Sequence, residues 1–388
     1  MTRKHVRTGS TLIVISLILI AVFSSCRAGP VGIFASIAQE TDINASRTAA
    51  FDGTSPDFVG ILGANYYTII NRTIWSRAVN GGSWGKLSTL PPGVSKGTAS
   101  SATIAGSNLF VTFGLIGDSS QEVWYTADGT NWVTTGFPTT EKVDSLLSAN
   151  GQAFAVTRAD TTVDTDTTTL FSVYHWNGTN FVSAGTDFDT GISSRPTSMA
   201  YGLANYWLTA GQAVYRGSTE VNLATLTAGD DSLPTDSFAG VTTLDATVIF
   251  STTSGKLYTF DGSVTWSGSG VFEKSDLPRS LAKPVIVQDG AKDYLLVGTV
   301  YKKDSASASG YLEIDVTGGL VPSTATAGTG SDFATSVNFQ TSVSTNYIPT
   351  LTVADEGSGK IRVFALTIGN GLWSNYFDGS AWSGWARE

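Results

Sequence analysis

Residues 123–132, VWYTADGTNW, decide the fold. A short aromatic strand runs into an Asp-Gly pair, and a tryptophan begins the return strand. Asp-Gly supplies the positive φ angles of a tight two-stranded reversal, and the alternation on either side supplies the strands. A near copy, LWSNYFDGSAW, occupies residues 372–382, and weaker copies lie between the two. A unit that recurs along a chain states an architecture before it states a function.

In its clearest form the unit has a small-residue strand at 98–104 and a turn at Gly106, Ser107 and Asn108. A buried-looking strand, LFVTF, follows at 109–113, then a strand at 123–126. Asp128-Gly129 and a return strand from Trp132 complete it. The same order fits residues 66–84, 145–181, 198–216, 240–266, 284–319 and 350–382. The third-strand position then holds Trp75, Trp124, Tyr174, Tyr215, Tyr258, Leu312 and Trp373, spaced by 41 to 61 residues. That is near the period of a four-stranded propeller blade. A single blade cannot bury both of its faces, so blades stack around an axis, and the recurring aromatic belongs in the interface.

The fold class is therefore all-β: a β-propeller of about seven four-stranded blades, with six or eight as neighbouring counts. The copies at 198–216 and 284–319 are weak, and residues 331–346 fit no part of the unit. A β-solenoid would need shorter repeats, and two sandwiches would not be expected to repeat one turn. The ring closes in one of two ways. Either residues 32–37 pair with the last blade, or the C-terminal residues build that blade alone.

The start of the chain is of a different kind. Arg3, Lys4 and Arg7 precede the apolar run TLIVISLILIAVF at 11–23, which has the form of a secretory signal and is too short for a stable membrane span. It ends in Phe23-Ser24-Ser25-Cys26, and Cys26 is the only cysteine. Apolar-small-small-Cys resembles the lipobox of bacterial lipoproteins, with Phe23 in place of the usual Leu, as in the permissive lipoboxes of spirochaetes. The resemblance implies an acylated Cys26 (palmitate among its acyl groups) as the mature N-terminus. The alternative is a plain secreted protein with a leftover thiol. The expected organisation is a lipoprotein signal peptide at 1–25, a lipidated tether with a candidate closing strand at 26–46, and the propeller at 47–388. Arg27 stands where the inner-membrane retention signal of enteric lipoproteins has Asp, which by analogy favours the outer membrane of a bacterial envelope.

Removing residues 1–25 takes away three positive charges and no acid, so the net charge of −9 becomes −12. An acidic exported body argues against nucleic acid as a partner, and its expected contact with a membrane is the N-terminal lipid. With a single cysteine no intrachain disulfide can form, and the core must rest on packing.

The turn at Thr126, Asp128, Gly129 and Trp132 resembles the Asp-box of sialidase-like propellers, one residue short of its usual spacing. Asp261, Gly262 and Trp266, and Asp378, Gly379 and Trp382, are looser matches. In those families the box builds the hairpin away from the active centre, so the resemblance implies a structural role. The rest of a sialidase site is not legible. The chain after residue 25 has ten arginines, without that family's Arg-Ile-Pro signature. Another glycosidase would need two carboxylates about 5–9.5 Å apart; Asp144, Asp187, Asp189, Asp245 and Glu313 are available, but sequence pairs none of them.

Asp160, Asp164 and Asp166, in ADTTVDTDTTT, are candidate calcium ligands. Their spacing lacks the glycine and terminal glutamate of an EF-hand, so a solvated loop at a blade edge is the preferred reading. No other cofactor is expected. His175, the one histidine after residue 25, lies between Tyr174 and Trp176 and is expected to face outward. Residues 355–360, DEGSGK, lack Walker spacing and read as a hairpin turn. The expected function is a binding or scaffold module with a protein or glycan partner. The alternatives are a glycoside-cleaving enzyme using carboxylates at the propeller centre and an assembly factor of the outer envelope.

Overall fold

The structure, a computed structural model, describes residues 51, 54–116, 121–137, 142–163, 166–226, 235–262, 280–300, 311–318, 350–369 and 371–388, with backbone alone at 161–163, 166, 299–300, 312 and 313. Phe51–Glu388 forms one compact unit, in which seven antiparallel sheets follow one another as the blades of a propeller. Blade 1 is Pro56–Leu62, Asn65–Ile70, Thr73–Ala78 and Gly85–Lys86. Blade 2 is Ser101–Ala105, Asn108–Gly114, Gln121–Thr126 and Val133–Thr134, and blade 3 is Lys142–Ala149, Gln152–Val163, Asp166–Trp176 and Phe181–Ser183. Blade 4 is Pro196–Gly202, Asn205–Ala210, Ala213–Gly217 and Ala224–Thr225. Blade 5 has Phe238–Leu244, Thr247–Thr252 and Leu257–Phe260, and blade 6 has Ser280–Gln288, Asp293–Val300 and Tyr311–Asp315. Blade 7 is Thr350–Gly357, Lys360–Leu366, Leu372–Phe377 and Trp382–Arg387. Residues 263–279 and 319–349, which follow the third strands of blades 5 and 6, lie outside the described residues, and Trp266 is among them.

The first strand of each blade packs on the first strand of the next, and blade 1 packs back onto blade 7. The first strands are therefore innermost. Blade 7 is built wholly from residues 350–387, so the ring closes by packing and not by a strand borrowed from elsewhere in the described chain. Residues 32–37 lie outside the described residues.

Second strands are covered on both faces by neighbouring blades, which is why they read as unbroken apolar runs and not as alternations. Leu109, Phe110, Val111 and Phe113 are all buried, as are Tyr206, Trp207 and Leu208. Each interface has its own apolar cluster. Trp75, Trp124, Tyr174, Tyr215, Tyr258 and Trp373 each sit in the cluster shared with the preceding blade. An aromatic at that place buries on the order of 150–250 Å².

Near the axis, where no ladder joins neighbouring blades, serine side chains join them instead. The Leu146 N–H donates to Ser101 Oγ at 2.8 Å, the Val241 N–H to Ser198 Oγ at 3.1 Å, and Ser251 Oγ to the Ala282 carbonyl at 2.7 Å. Close approach also requires Gly240, where an added Cβ would lie 2.5 Å from the Lys283 Cα.

Three expectations change. The turn after Thr126 is not a two-residue reversal: the strands end at Thr126 and resume at Val133, and of the Asp-Gly pair only Gly129 has positive φ, 77°. Residues 160–163 and 166 are not in a loop. They form the end of a long hairpin in which Arg158 pairs with Phe171 and Val163 with Asp166. Threonine is β-branched and suits an extended backbone, which outweighs its polarity. His175 does not face outward; it is 7% exposed, inside blade 3 and packed on Phe154.

Candidate functional site

The recurrent turns come first, because sequence singled them out. Thr126 Oγ1 accepts the Gly129 N–H at 2.9 Å, and Asp128 Oδ1 accepts the N–H groups of Thr130 and Asn131 at 2.8 and 2.7 Å. These donors, with the Asn131 side chain at 2.6 Å from Oδ2, hold the Asp128 carboxyl well below the usual carboxylate range. Asp378 repeats the pattern, accepting from the N–H groups of Ala381 and Ser380, and is lowered for the same reason. Trp132 stacks edge-on against Phe113, and its indole donates to the Thr89 carbonyl of the preceding blade's outer loop at 3.1 Å. Trp382 likewise reaches back to Asp289 of blade 6 at 3.2 Å. Gly129 has a second constraint: an added Cβ would lie 2.3 Å from Tyr67 Oη. Gly262 and Gly379 also have positive φ, 88° and 100°. The geometry of these turns is that of a brace between blades.

Among the described residues, a densely bonded group of polar side chains lies where blade 7 meets blade 1. Tyr66 donates its hydroxyl to Glu356, and Arg362 Nε lies 2.9 Å from Glu356 Oε1 and 3.2 Å from Tyr66 Oη. Burial raises the Tyr66 phenol, and its bond to Glu356 raises it further. Arg362 reaches on to Ser374 at 3.3 Å and to Glu388 at 3.7 Å. Glu388 in turn pairs with Arg77 and accepts the Trp84 indole N–H at 3.0 Å. The two guanidinium groups lie over the rings of Tyr66, Trp84 and Tyr376 at 4.6–5.7 Å. Glu356 and Glu388 side chains are only 6% and 4% exposed, and two cations balance the two anions.

Beside this network opens a cleft of about 700 Å³. Ile61, Ala64 and Val79 supply apolar wall, and Asn65, Asn80 and Asp355 supply polar groups. Asp355 Oδ1 accepts the Gly357 N–H at 2.8 Å within the 357–360 hairpin, so DEGSGK is the turn that spacing predicts. Tyr66 and Glu356 form the kind of pair a sialidase nucleophile would use. Tyr66 is fully buried, however, and the pairing holds its proton, so the phenol serves as a strut.

A second tyrosine repeats the arrangement between blades 3 and 4. Tyr206 donates to Glu220 at 2.6 Å and accepts from Asn150 at 3.3 Å, and burial with that glutamate pushes it up to about 12. His175, whose ring nitrogen lies 3.3 Å from Gln152, is lowered by burial.

The structure does not bring the sequence-predicted acids together. Asp144 pairs with Arg195 at 2.5 Å, Asp187 accepts Thr225 N–H and hydroxyl at 2.8 and 2.6 Å, and Asp189 accepts from Ser183 at 2.7 Å. Asp245 turns a hairpin in blade 5 with φ 49°, and Glu313 lies on blade 6. Asp160 bonds Thr169 at 2.8 Å across the long hairpin, where Asp166 pairs with Val163, and Asp164 lies outside the described residues. Among the described residues no three His, Cys, Asp or Glu side chains converge as a metal site would require. Among the same residues no helix is long and apolar enough to cross a membrane. Cys26 lies outside them.

No protein-family model matches the chain, and no curated protein matches it. Solved structures do. An ancestral GH74 enzyme aligns over 86% of this chain and 46% of its own, at 11% identity and a TM-score of 0.58. The extracellular domain of BT4673 from B. thetaiotaomicron aligns over 83% of this chain and 39% of its own, at 14% identity and a TM-score of 0.50. YCF48 bound to a D1 peptide aligns over 83% and 92%, at 10% identity and a TM-score of 0.48. The chain is a β-propeller. At these identities the likeness is one of fold, and fold alone does not assign chemistry.

Proposed function

We propose that this protein is a lipid-anchored propeller of the bacterial envelope, acting as a binding or scaffold module for a protein or glycan. One observation carries the anchoring: an apolar run at 11–23 leads through Ser24-Ser25 to the single cysteine, Cys26. Acyl chains there would hold the body at a membrane surface, each buried methylene contributing about 0.8 kcal/mol. The binding role is favoured by where the polar chemistry goes. The recurrent Asp turns, Tyr66 with Glu356, Tyr206 with Asn150, and Asp144 with Arg195 are spent on bracing neighbouring blades. Among the described residues, the seam cleft and the long hairpin of blade 3 are parts that do not repeat.

Mass spectrometry of the N-terminal peptide tests the anchor. A diacyl or triacyl mass on Cys26, with a Cys26→Ala protein released from membranes, is the expected outcome. An unmodified Cys26, or a Cys26→Ala protein that still fractionates with membranes, contradicts it. A pull-down from envelope extracts, with the cleft blocked by Ala64→Trp, identifies the partner and the face it uses.

A further inference from the structure

The cleft between blades 7 and 1 has walls of two kinds. Blade 1 supplies Ile61 from its first strand, with Ala64, Ala78 and Val79 at its first and third turns. The Val79 N–H donates to the Ala64 carbonyl at 2.9 Å, which ties those two turns into a single surface. Ile61 and Val79 pack on the aromatic cluster of the seam yet are only half-buried, so apolar area stays open to the cleft. Blade 7 supplies Asp355 and Glu356 from the end of its first strand, and Asn65 and Asn80 add amides from blade 1. Among the described residues that line the cleft there is no lysine, no arginine and no aromatic ring. Its volume of about 700 Å³ lies within the usual span of ligand sites, about 300–1,000 Å³.

The two carboxylates are not equivalent. Glu356 is the buried one, and Arg362 at 2.9 Å already matches its charge. Asp355 is exposed and spends Oδ1 on the Gly357 N–H, which leaves Oδ2 to a donor from outside the described residues. Two recurrent turns add negative charge nearby. The Asp378-Gly379 turn lies against the 357–360 hairpin, and the Asp128-Gly129 turn packs on Tyr67 of blade 1. Lys360 belongs to that hairpin but does not line the cleft. A recess bounded by apolar groups concentrates such a field on whatever enters it. An apolar wall that ends at a carboxylate is complementary to a side chain with an aliphatic stem and a cationic head. A sugar fits it less well, since no ring in the lining offers its apolar face a surface. We infer that the seam cleft is a docking site for a basic side chain of a partner polypeptide, with arginine the better fit. The guanidinium forks onto Asp355 and has N–H groups left for the amide oxygens of Asn65 and Asn80, while its methylenes lie along Ile61 and Val79. The site gives a chemistry to the binding-module reading and rests on it, but it is independent of the lipid, so its failure would leave the Cys26 test untouched.

Calorimetric titration of the full chain with free arginine and with two capped tripeptides, one centred on arginine and one on glutamine, reads the site out. The arginine peptide is expected to bind with a Kd of about 1 mM or tighter, the glutamine peptide not to bind, and added salt to weaken the former. Asp355→Asn keeps an Oδ1 acceptor for the Gly357 N–H and removes only the charge. It is expected to weaken the arginine peptide about tenfold or more, and Ala64→Trp to abolish its binding. No binding of the arginine peptide overturns the inference, as does equal binding of the glutamine peptide or an Asp355→Asn protein that binds as the wild type does. Free arginine binding as tightly as the capped peptide assigns the cleft to a small cation and overturns the polypeptide. Should the variants not fold, carbodiimide coupling of an amine to wild-type Asp355, read by mass spectrometry, decides: protection by the arginine peptide supports the site, and unchanged labelling rejects it. A partner captured from envelope extracts equally well by Ala64→Trp rejects this site while leaving the binding module standing.

Discussion

The interface between blades 5 and 6 and the seam between blades 7 and 1 perform the same task with different chemistry. The first is Leu244, Ile249 and Leu257 against Leu281, Leu295, Val297 and Ile314, an aliphatic cluster. The second adds to an aromatic cluster two arginines, two glutamates, a tyrosine and an indole, bonded in one connected group. Aliphatic packing is tolerant of which blade meets which, since it asks only for volume and shape. A buried charge is not tolerant, because a wrong partner leaves it unpaired. The seam is where the first and last blades must find each other across some three hundred residues of chain. There, specificity is worth more than a further increment of packing.

That contrast can be broken most forcefully at Glu388. Glu388→Gln takes the counter-charge from Arg77 and reduces that of Arg362, and is expected to cost on the order of 3–5 kcal/mol in urea unfolding. Replacing Arg77 and Glu388 together, by Met and Leu, should recover most of that loss, since an apolar pair of similar volume needs no partner. At the aliphatic interface Leu295→Ala should cost about 2–5 kcal/mol, with no rescue from a second truncation. If the double replacement at the seam recovers nothing, the charges act through geometry that apolar side chains cannot supply, and the contrast is sharpened.

The smallest effect is in acid. Asp128, Asp378, Asp315 and Glu220 are all held below their ordinary range by hydrogen bonds in the folded state. Their contribution is therefore present above the unfolded carboxylate pKa and is lost as pH falls toward the lower folded values. Asp57 has the opposite sign: its folded pKa is raised, so its contribution is present in acid and lost as pH rises. Asp128→Asn with Asp378→Asn should flatten the acid limb of a stability–pH curve, and Asp57→Asn should raise stability slightly at neutral pH.

Blade count and the place of the aromatics were legible because a repeat multiplies a weak local signal. Trp124 and Trp373 announce the same environment because a blade interface needs the same large ring each time. The seam was not legible. Arg77 and Glu388 are 311 positions apart, and each resembles an ordinary charge at the end of a strand. His175 was misplaced because alternation sends one side chain out only where one face of a sheet is wet, and a middle strand of a blade has no wet face. The hairpin of blade 3 was misread because aspartates signal turns, whereas the threonines between them favour extension.

The central claim is that blades 7 and 1 meet at the seam through side chains, with no strand exchanged among the described residues. Amide hydrogen exchange on wild type and Glu388→Gln tests it most directly. The account predicts faster exchange in Asn65–Ile70 and Lys360–Leu366, with the strands of blades 3 and 4 still at wild-type rates. Equal acceleration in all seven blades, or no change at the seam, would contradict it.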